Sequence, residues 1–271
     1  MNARPLLLSA LALALAAAGR ALDLGGLNKG LNMLNKAKEA RSTLDEASKL
    51  VAVIGPEEER ALGETVALEI IGKFGGLVRD EETMRRVNLV GHALARYSAR
   101  PDHAWRFGVL NSDTVNAFSA PDGHVFITRG LYQTATDDDR LAAILGHEIS
   151  HITGRHALRI IETGEKGSVL MKHVSARSGD ARQADAYLNQ VGLNTGKLVK
   201  FLVEKGFDHP TEFAADLDGR ALAVTTGYAP GGLRAVLEGL QARKGDPKKI
   251  FSAHPPLAER IKRLPAAPVG N

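Results

Sequence analysis

Apolar residues recur every three or four positions through most of the chain beyond residue 55, which is the spacing that gives an α-helix one buried face. Proline, glycine and acidic residues divide this pattern into separate helices. Pro56, followed by three glutamates, is typical of a first helical turn, and Gly227 stands where a helix would end. The pattern predicts helices over 56–71, 80–97, 137–153, 210–226, 230–244 and 257–264.

A different pattern occupies residues 105–128, where bulky residues alternate with polar or small ones. Alternation with a period of two is typical of β-strands. The sequence Pro-Asp-Gly at 121–123 favours a tight turn between two of them. We therefore predict an α+β fold that is mostly helical, with a small mixed β-sheet. Its two or three strands would lie within 105–110, 114–119 and 124–128.

The N-terminal part of the chain has the pattern of a secretory signal. Residues 1–21 contain an early arginine, an apolar run and then small residues, with cleavage expected after Ala18 or Ala21. The apolar run is too short to span a bilayer comfortably, although an uncleaved membrane anchor is the alternative. Residues 22–54 predict an amphipathic helical segment. We expect a periplasmic or secreted chain with no transmembrane anchor after cleavage.

The largest segment, residues 55–264, is long enough to form one domain with its own core. Within it, residues 157–207 carry a weak pattern with many glycines and polar residues. Two interpretations of this stretch stay open, namely a mobile lid over a cleft and helical scaffolding with flexible joins. The last residues, 265–271, are rich in proline and alanine and predict a disordered tail.

Composition excludes several classes of protein. The chain has no cysteine, so neither a disulfide nor a thiolate metal site can form. Its formal net charge of +4 would fall by two if Arg4 and Arg20 left with a signal peptide, which is too little charge to indicate nucleic-acid binding. The sequence also lacks the glycine-rich nucleotide-binding motifs and the Gly-x-Ser-x-Gly motif of many serine hydrolases.

His147, Glu148 and His151 form an H-E-x-x-H pattern inside one predicted helix. Residues four apart lie one turn above each other, so both histidines can reach one metal ion from the same helix face. Glu148 lies about 100° round from His147, near enough to contact a water molecule at the metal without being a ligand. Asp137 supplies a cap for this helix and Gly154 a stop.

Two histidines leave a catalytic zinc site incomplete, because such sites usually have three protein ligands. The longer pattern H-E-x-x-H-x-x-G-x-x-H fails here, since Ala157 stands where its histidine belongs and His156 comes one residue early. Glu212 is the better candidate for the third ligand. Asp216 lies four residues further along the same helix face, where it can accept the free ring N–H of a ligand histidine. A solvated acidic face is the alternative for this pair.

Four stretches together resemble one known family. The chain resembles the gluzincin metallopeptidases that include the HtpX-like and CAAX prenyl proteases (metallopeptidase family 48), in their soluble periplasmic BepA-like branch. The resemblance covers roughly residues 57–264. The stretches that carry it are 116–131, the H-E-x-x-H helix through His156, the Glu212–Asp216 helix, and 252–260.

The resemblance implies a zincin-like metallopeptidase domain over 55–264 that binds one Zn²⁺ ion per chain. The zinc ligands would be His147, His151 and Glu212, with Glu148 as the catalytic base. It also implies active-site roles for two further residues, His254 and Arg260.

Three interpretations stay open for His254, whose backbone is restricted by the two prolines that follow. Its ring can donate a hydrogen bond to the oxyanion of a tetrahedral intermediate. Alternatively, in the resting enzyme, its neutral nitrogen can occupy the open position of the zinc ion. The third interpretation is an ordinary surface histidine.

The last predicted strand is expected to lie beside the H-E-x-x-H helix, as it does in the family. Its free edge would then bind an extended peptide through main-chain hydrogen bonds, with Asn116, His124, Val125 and Phe126 along that edge. We therefore expect a zinc metalloendopeptidase that acts on unfolded or extended polypeptides, for instance misfolded or damaged envelope proteins. Envelope assembly machinery is a further expected partner.

Two other functions stay open. The first is a non-catalytic, chaperone-like scaffold that retains a zinc site, and the second is a metal-dependent hydrolase of a non-peptide substrate. The complete set of catalytic residues argues against the scaffold, and the expected edge strand favours peptides as substrates.

Overall fold

The computed structural model describes residues 54–163, 195–243 and 253–266. The chain divides into two compact units, Met1–Val51 and Ala52–Asn271, and every described residue belongs to the second. The predicted signal peptide, nearly all of the segment 22–54, the middle of 157–207 and most of the tail therefore lie outside the described residues.

The described residues form helices and a small sheet, as the sequence predicted. Aspartates cap three of the helices, since the side chains of Asp80, Asp137 and Asp208 accept hydrogen bonds from backbone N–H groups of the first turn. None of the described helices is long and apolar enough to cross a lipid bilayer. The helices are α1 (Pro56–Lys73), α2 (Glu81–Arg96), α3 (Arg129–Tyr132), α4 (Asp138–Thr153), α5 (His156–Thr163), α6 (Thr195–Lys200), α7 (His209–Thr226), α8 (Gly232–Gln241) and α9 (Leu257–Arg263), with a π-helical turn at Phe201–Lys205.

The sheet has three strands, β1 (Arg106–Leu110), β2 (Ala117–Ala120) and β3 (His124–Thr128), in the order β1-β3-β2. β3 pairs in parallel with β1 and antiparallel with β2, so the predicted mixed sheet is confirmed. The turn between β2 and β3 places Asp122 and Gly123 at positive φ, the conformation that a tight hairpin connection requires.

Both faces of the sheet are covered. One row of strand side chains, including Phe107 and Val125, packs with α2 and α4. The alternate row, including Phe118 and Phe126, packs with α1, α5 and α6. Because successive strand residues point to opposite faces, this short sheet takes part in two hydrophobic cores.

α4 lies at the centre of the domain and is buried on all sides from Leu141 to Ile152. It contacts the sheet, α2, α7 and α8. α7 crosses it where two glycines face each other, and a Cβ added to Gly219 would lie 2.5 Å from the backbone nitrogen of His147. This close approach brings the H-E-x-x-H residues of α4 beside the acidic residues of α7.

Candidate metal centre

Three side chains from α4 and α7 converge in the interior. One nitrogen of His147, one nitrogen of His151 and one carboxylate oxygen of Glu212 all lie within 4.8 Å of one another. The two Nε2 atoms are 3.2 Å apart, and the Glu212 carboxylate lies 3.5 Å from His147 Nε2 and 3.7 Å from His151 Nε2. The structure thus brings together the three residues predicted as ligands.

This group of atoms fits a divalent metal ion. Two imidazole nitrogens with one carboxylate oxygen are a common ligand set of catalytic zinc sites. Within the described residues, Glu212 Oε1 and Glu148 Oε1 are buried without a hydrogen-bond partner, which is costly unless a further ligand contacts them. These residues can therefore hold a metal ion.

Asp216 lies behind His147, on the side away from the converging atoms. Its Oδ1 is 2.9 Å from His147 Nδ1, as expected for a carboxylate that orients a ligand histidine. Burial lowers the pKa of His147, but hydrogen bonds to Asp216 and Glu212 outweigh burial and raise that pKa to about 9. Burial raises the pKa of the Asp216 carboxyl, and contacts with His147 and Arg260 more than reverse this effect, so the pKa lies below its usual value.

The buried Arg260 side chain forms an ion pair with Asp216. Its guanidinium is 1% exposed and contacts the Asp216 carboxylate with Nε at 2.9 Å and Nη2 at 2.5 Å. The resemblance implied an active-site role for Arg260. In the structure Arg260 contacts Asp216, which in turn contacts the candidate ligand His147. The bidentate ion pair with Arg260 can hold the Asp216 carboxylate in place.

Glu148 points towards the same centre without sharing the ligand positions of α4. One carboxylate oxygen of Glu148, one nitrogen of His147 and one nitrogen of His254 lie within 4.8 Å of one another. Burial raises the pKa of the Glu148 carboxyl, while the neighbouring histidines and a hydrogen bond from Ser119 oppose the rise. A carboxylate in this environment is suited to accept and return a proton.

His254 reaches the centre from the loop before α9. Its Nδ1 is 2.5 Å from Glu212 Oε2, and its ring centroid is 5.4 Å from that of His147. Burial raises the pKa of the Glu212 carboxyl, but the His254 charge and the hydrogen bonds from His147 and His254 hold it well below its usual value. The interpretation of His254 as an ordinary surface histidine is wrong, because its ring contacts the candidate ligand Glu212.

The predicted substrate edge needs a correction. His124, Val125 and Phe126 lie on β3, which is the central strand and pairs on both sides, so they cannot offer a free edge. The strand beside the centre is β2, whose residue Ser119 contacts Glu148. Asn116 directly precedes β2, and its side-chain oxygen accepts a hydrogen bond from the backbone N–H of Ala117.

A comparison with known families identifies the family of the chain. Residues 81–267 match the family model described as peptidase family M48. The chain belongs to peptidase family M48. Membership confirms the resemblance seen in the sequence and the predicted zincin-like α+β class. The matched region of the M48 domain includes every candidate residue from Asn116 to Arg260.

Two similar proteins carry the names of a protease and a metalloendopeptidase. The beta-barrel assembly-enhancing protease of Escherichia coli is 26% identical over 211 residues, which cover 73% of this chain and 41% of that protein. The mitochondrial metalloendopeptidase OMA1 of Schizosaccharomyces pombe is 26% identical over 211 residues, covering 76% of this chain and 60% of that protein. The crystal structure of S. mikatae Ste24p covers 74% of this chain and 55% of its own, at 16% identity and a TM-score of 0.39. This M48 chain thus spans only about half the length of these relatives.

One residue at the M48 centre was not predicted from the sequence. His156 follows a turn at Arg155, and its Nδ1 lies 2.8 Å from Nδ1 of His151. Phe207 stacks on His151 at a centroid distance of 4.4 Å and also contacts His156. The sequence carried a signal for His156, since it ends the H-E-x-x-H stretch, but His156 stands one residue before the position that the longer histidine pattern requires.

Proposed function

We propose that this M48 peptidase is a zinc-dependent metalloendopeptidase with His147, His151 and Glu212 as zinc ligands and Glu148 as general base. The observation that carries the proposal is the convergence of ligand atoms from His147, His151 and Glu212, with the buried carboxylate of Glu148 beside them. Zinc is favoured over magnesium or calcium because two of the three ligands are imidazoles.

The chemistry divides between the ion and the chain. When bound, zinc polarises the scissile carbonyl and makes water a better nucleophile at neutral pH. Glu148 accepts the proton of the attacking water on a carboxylate oxygen and delivers it to the leaving amine. The burial that raises the pKa of Glu148 brings its proton affinity closer to the value that both transfers need.

His254 and β2 both lie beside Glu148 and can support the reaction. His254 is close enough to donate a hydrogen bond to negative charge that develops on the substrate oxygen. The backbone N–H of Thr128 donates to the carbonyl of Asn116, so by strand alternation the main-chain groups of Ala117 and Ser119 face away from β3. An extended peptide can pair with this side of β2, which requires no particular sequence.

The substrates we propose are unfolded or extended polypeptides in the cell envelope, including misfolded or damaged proteins. The name of the Escherichia coli relative, a protease that enhances beta-barrel assembly, supports envelope assembly machinery as a partner. Export with signal cleavage would remove residues 1–21, so the N-terminal sequence of protein from the native host should start near Leu22. Recovery of the intact Met1 form in the membrane fraction would contradict export with cleavage.

Chelator-sensitive cleavage of unfolded casein tests the proposal. The purified chain should cleave casein, lose this activity when zinc is removed, and regain it when zinc is added back. The rival function, a non-catalytic scaffold that retains the metal site, predicts that the chain delays casein aggregation without cutting it. A third function, hydrolysis of a non-peptide substrate, predicts neither cleavage nor protection.

A further inference from the structure

The turn after α4 has an unusual backbone. Gly154, where a stop was predicted, has an ordinary φ of −76°, and the left-handed residue is Arg155 at φ 55°. A left-handed conformation costs a non-glycine residue about 1 kcal/mol, so other contacts must hold it. The turn starts α5 at once and directs the ring of His156 back onto α4. Gly154 makes room for this ring, because a Cβ there would lie 2.4 Å from His156 Nε2.

The contact between the two rings constrains the chemistry of His151. Its Nε2 faces Glu212 and His147, and this nitrogen must carry a lone pair to bind a metal ion. The proton of the neutral ring is then on Nδ1, which donates to His156 Nδ1 across 2.8 Å. His156 in turn must carry its own proton on Nε2. His156 thereby fixes both the tautomer and the orientation of His151.

Arg155 is anchored by buried acids. Its guanidinium contacts Glu59 Oε2 at 2.9 Å, Glu162 Oε1 at 3.1 Å and the backbone oxygen of Ile54 at 2.9 Å. Glu59 is 1% exposed and also binds Arg100 through both carboxylate oxygens, at 2.7 and 2.9 Å. Glu59 lies on α1, outside the region that matches the family model.

Arg100 links the same carboxylate to the last turn of α4, since its Nη1 is 3.4 Å from the backbone oxygen of Ile152. Glu59 therefore holds the C-terminal end of α4 at two points. Arg100 connects it to the backbone oxygen of Ile152, and Arg155 contacts it directly. Both contacts favour one geometry of the turn that presents His156.

We propose that His156 is a positioning residue for the ligand His151, and that Arg155, anchored on Glu59 of α1, holds His156 in place. This inference rests on the proposed zinc site. It assigns α1 a part in metal binding, although no residue of α1 belongs to the converging group.

Zinc affinity of two His156 variants tests the first half of the proposal. His156→Leu removes the acceptor for His151, whereas the side-chain oxygen of His156→Asn can take the place of Nδ1. Loss of such a partner weakens zinc binding by about 10–100-fold, so we expect this loss for the leucine variant and a much smaller one for the asparagine variant. His92→Leu, an exposed histidine packed on Phe107, is the matched control and should bind zinc as wild type does.

The measurements are chelator competition for zinc affinity and urea unfolding of the zinc-free proteins. Wild-type affinity in His156→Leu would overturn the inference, as would equal losses in the leucine and asparagine variants. If the wild-type chain itself bound no zinc, the proposed function would fail together with the inference. If only the His156 variants behaved otherwise than expected, the inference alone would fail.

The second half concerns the anchor. Alanine, like arginine, has a Cβ, so Arg155→Ala removes the ion pairs while the steric cost of the left-handed conformation stays about the same. Arg86→Ala is the matched control, because Arg86 binds Asp138 and the backbone oxygen of Ala135 at the opposite end of α4. Arg155→Ala should weaken zinc binding by less than His156→Leu does, while Arg86→Ala should leave zinc affinity unchanged. Equal zinc affinities of Arg155→Ala and wild type would overturn the role of the anchor.

The double variant Arg155→Ala/His156→Leu separates a linked effect from two independent ones. If Arg155 acts through His156, the double variant should bind zinc as weakly as His156→Leu alone. Losses that multiply would show that the two residues act separately and would contradict the proposed link.

Discussion

Single residues at this centre owe their places to two different causes. His147, Glu148 and His151 are arranged by helical spacing within α4, so a continuous sequence pattern could predict them. Glu212 and Asp216 also share a helix face, but only the packing of α7 on α4 brings them to the histidines. The sequence could suggest this pair only because two histidines leave a zinc site one ligand short.

Other residues could not be assigned from local spacing. The sequence shows His156 one residue before the last histidine of the longer pattern, and it does not show the left-handed turn at Arg155 that redirects the ring of His156. Glu59 lies in a first helical turn with two other glutamates, where an exposed acidic residue is ordinary, and only the fold reveals that it is buried between arginines. The partner of Arg260 is 44 residues away in sequence, so its role was equally hidden.

Replacement of His254 separates its two remaining roles. A hydrogen bond to an oxyanion contributes about 10²–10³-fold to kcat in other enzymes, so His254→Ala should lower kcat by this order with little change in KM. Increased activity of the variant would instead indicate that His254 blocks the resting site. Wild-type kcat together with wild-type zinc affinity would exclude both roles. His209→Ala, an exposed histidine in the first turn of α7, is the control in the same kinetic assay.

Among the helices, the crossing of α4 and α7 determines how the candidate ligands are arranged. Gly146 and Gly219 allow the two backbones to approach so closely that a Cβ on either one would overlap the other helix. This approach brings Asp216 within hydrogen-bond distance of His147. The spacing of H-E-x-x-H aligns the histidines within α4, and the two glycines allow α7 to bring its acidic residues to them.

An added methyl group at the crossing should weaken both folding and metal binding. A Cβ at Gly219 meets three backbone atoms of α4 within 2.8 Å, so Gly219→Ala should push α7 away from His147 and cost about 1–3 kcal/mol of unfolding free energy. Zinc affinity should fall as well. Gly239→Ala on α8 is the control, since nothing lies within 4 Å of its added Cβ, and it should be neutral or stabilising by up to about 1 kcal/mol. Equal urea midpoints and zinc affinities for the two variants would contradict this role of the crossing.

The order of the strands in the sheet could not be predicted from the sequence. The alternating pattern gave the strands and their turn, but the order β1-β3-β2 depends on pairing between distant residues. The parallel partnership of β1 and β3 places β3 in the middle, so the edge strand beside Glu148 is β2. A period-two pattern cannot tell a central strand from an edge strand when both faces of the sheet are buried.

Across the whole molecule, a buried ion-pair network joins parts of the chain that are far apart in sequence. Glu59 connects α1 to Arg100, before β1, and to Arg155, after α4. Burial by itself raises the pKa of the Glu59 carboxyl, but Arg100 and Arg155 outweigh it and hold the pKa below its usual value. The carboxylate therefore favours the folded state as long as it is charged.

The lowered pKa of Glu59 determines how the stability of the fold depends on pH. Because the pKa of Glu59 is lower in the folded chain, its contribution is complete above the unfolded pKa and is lost as the pH falls through the folded pKa. Glu59→Gln should cost about 3 kcal/mol of unfolding free energy at pH 7, at the lower end for a buried pair because both arginines are partly exposed. The difference from wild type should shrink below about pH 4.

Urea unfolding of the zinc-free proteins between pH 7 and pH 3 measures this difference. Glu64→Gln is the matched control, because Glu64 forms an exposed ion pair with Arg60 and should cost less than about 1 kcal/mol. A difference between wild type and Glu59→Gln that stays constant or grows on acidification would contradict the network's role.

Zinc content and casein cleavage, measured on the same preparations of wild type, Glu148→Gln and His147→Ala, test the central assignment most directly. Wild type should hold one zinc ion per chain and cleave casein. Glu148→Gln should keep the zinc but lose about 10²–10⁴-fold in turnover, because an amide cannot accept the proton. His147→Ala should lose both, since two remaining ligands hold zinc poorly. Zinc loss in Glu148→Gln as complete as in His147→Ala, or wild-type turnover in Glu148→Gln, would contradict the division of ligand and base.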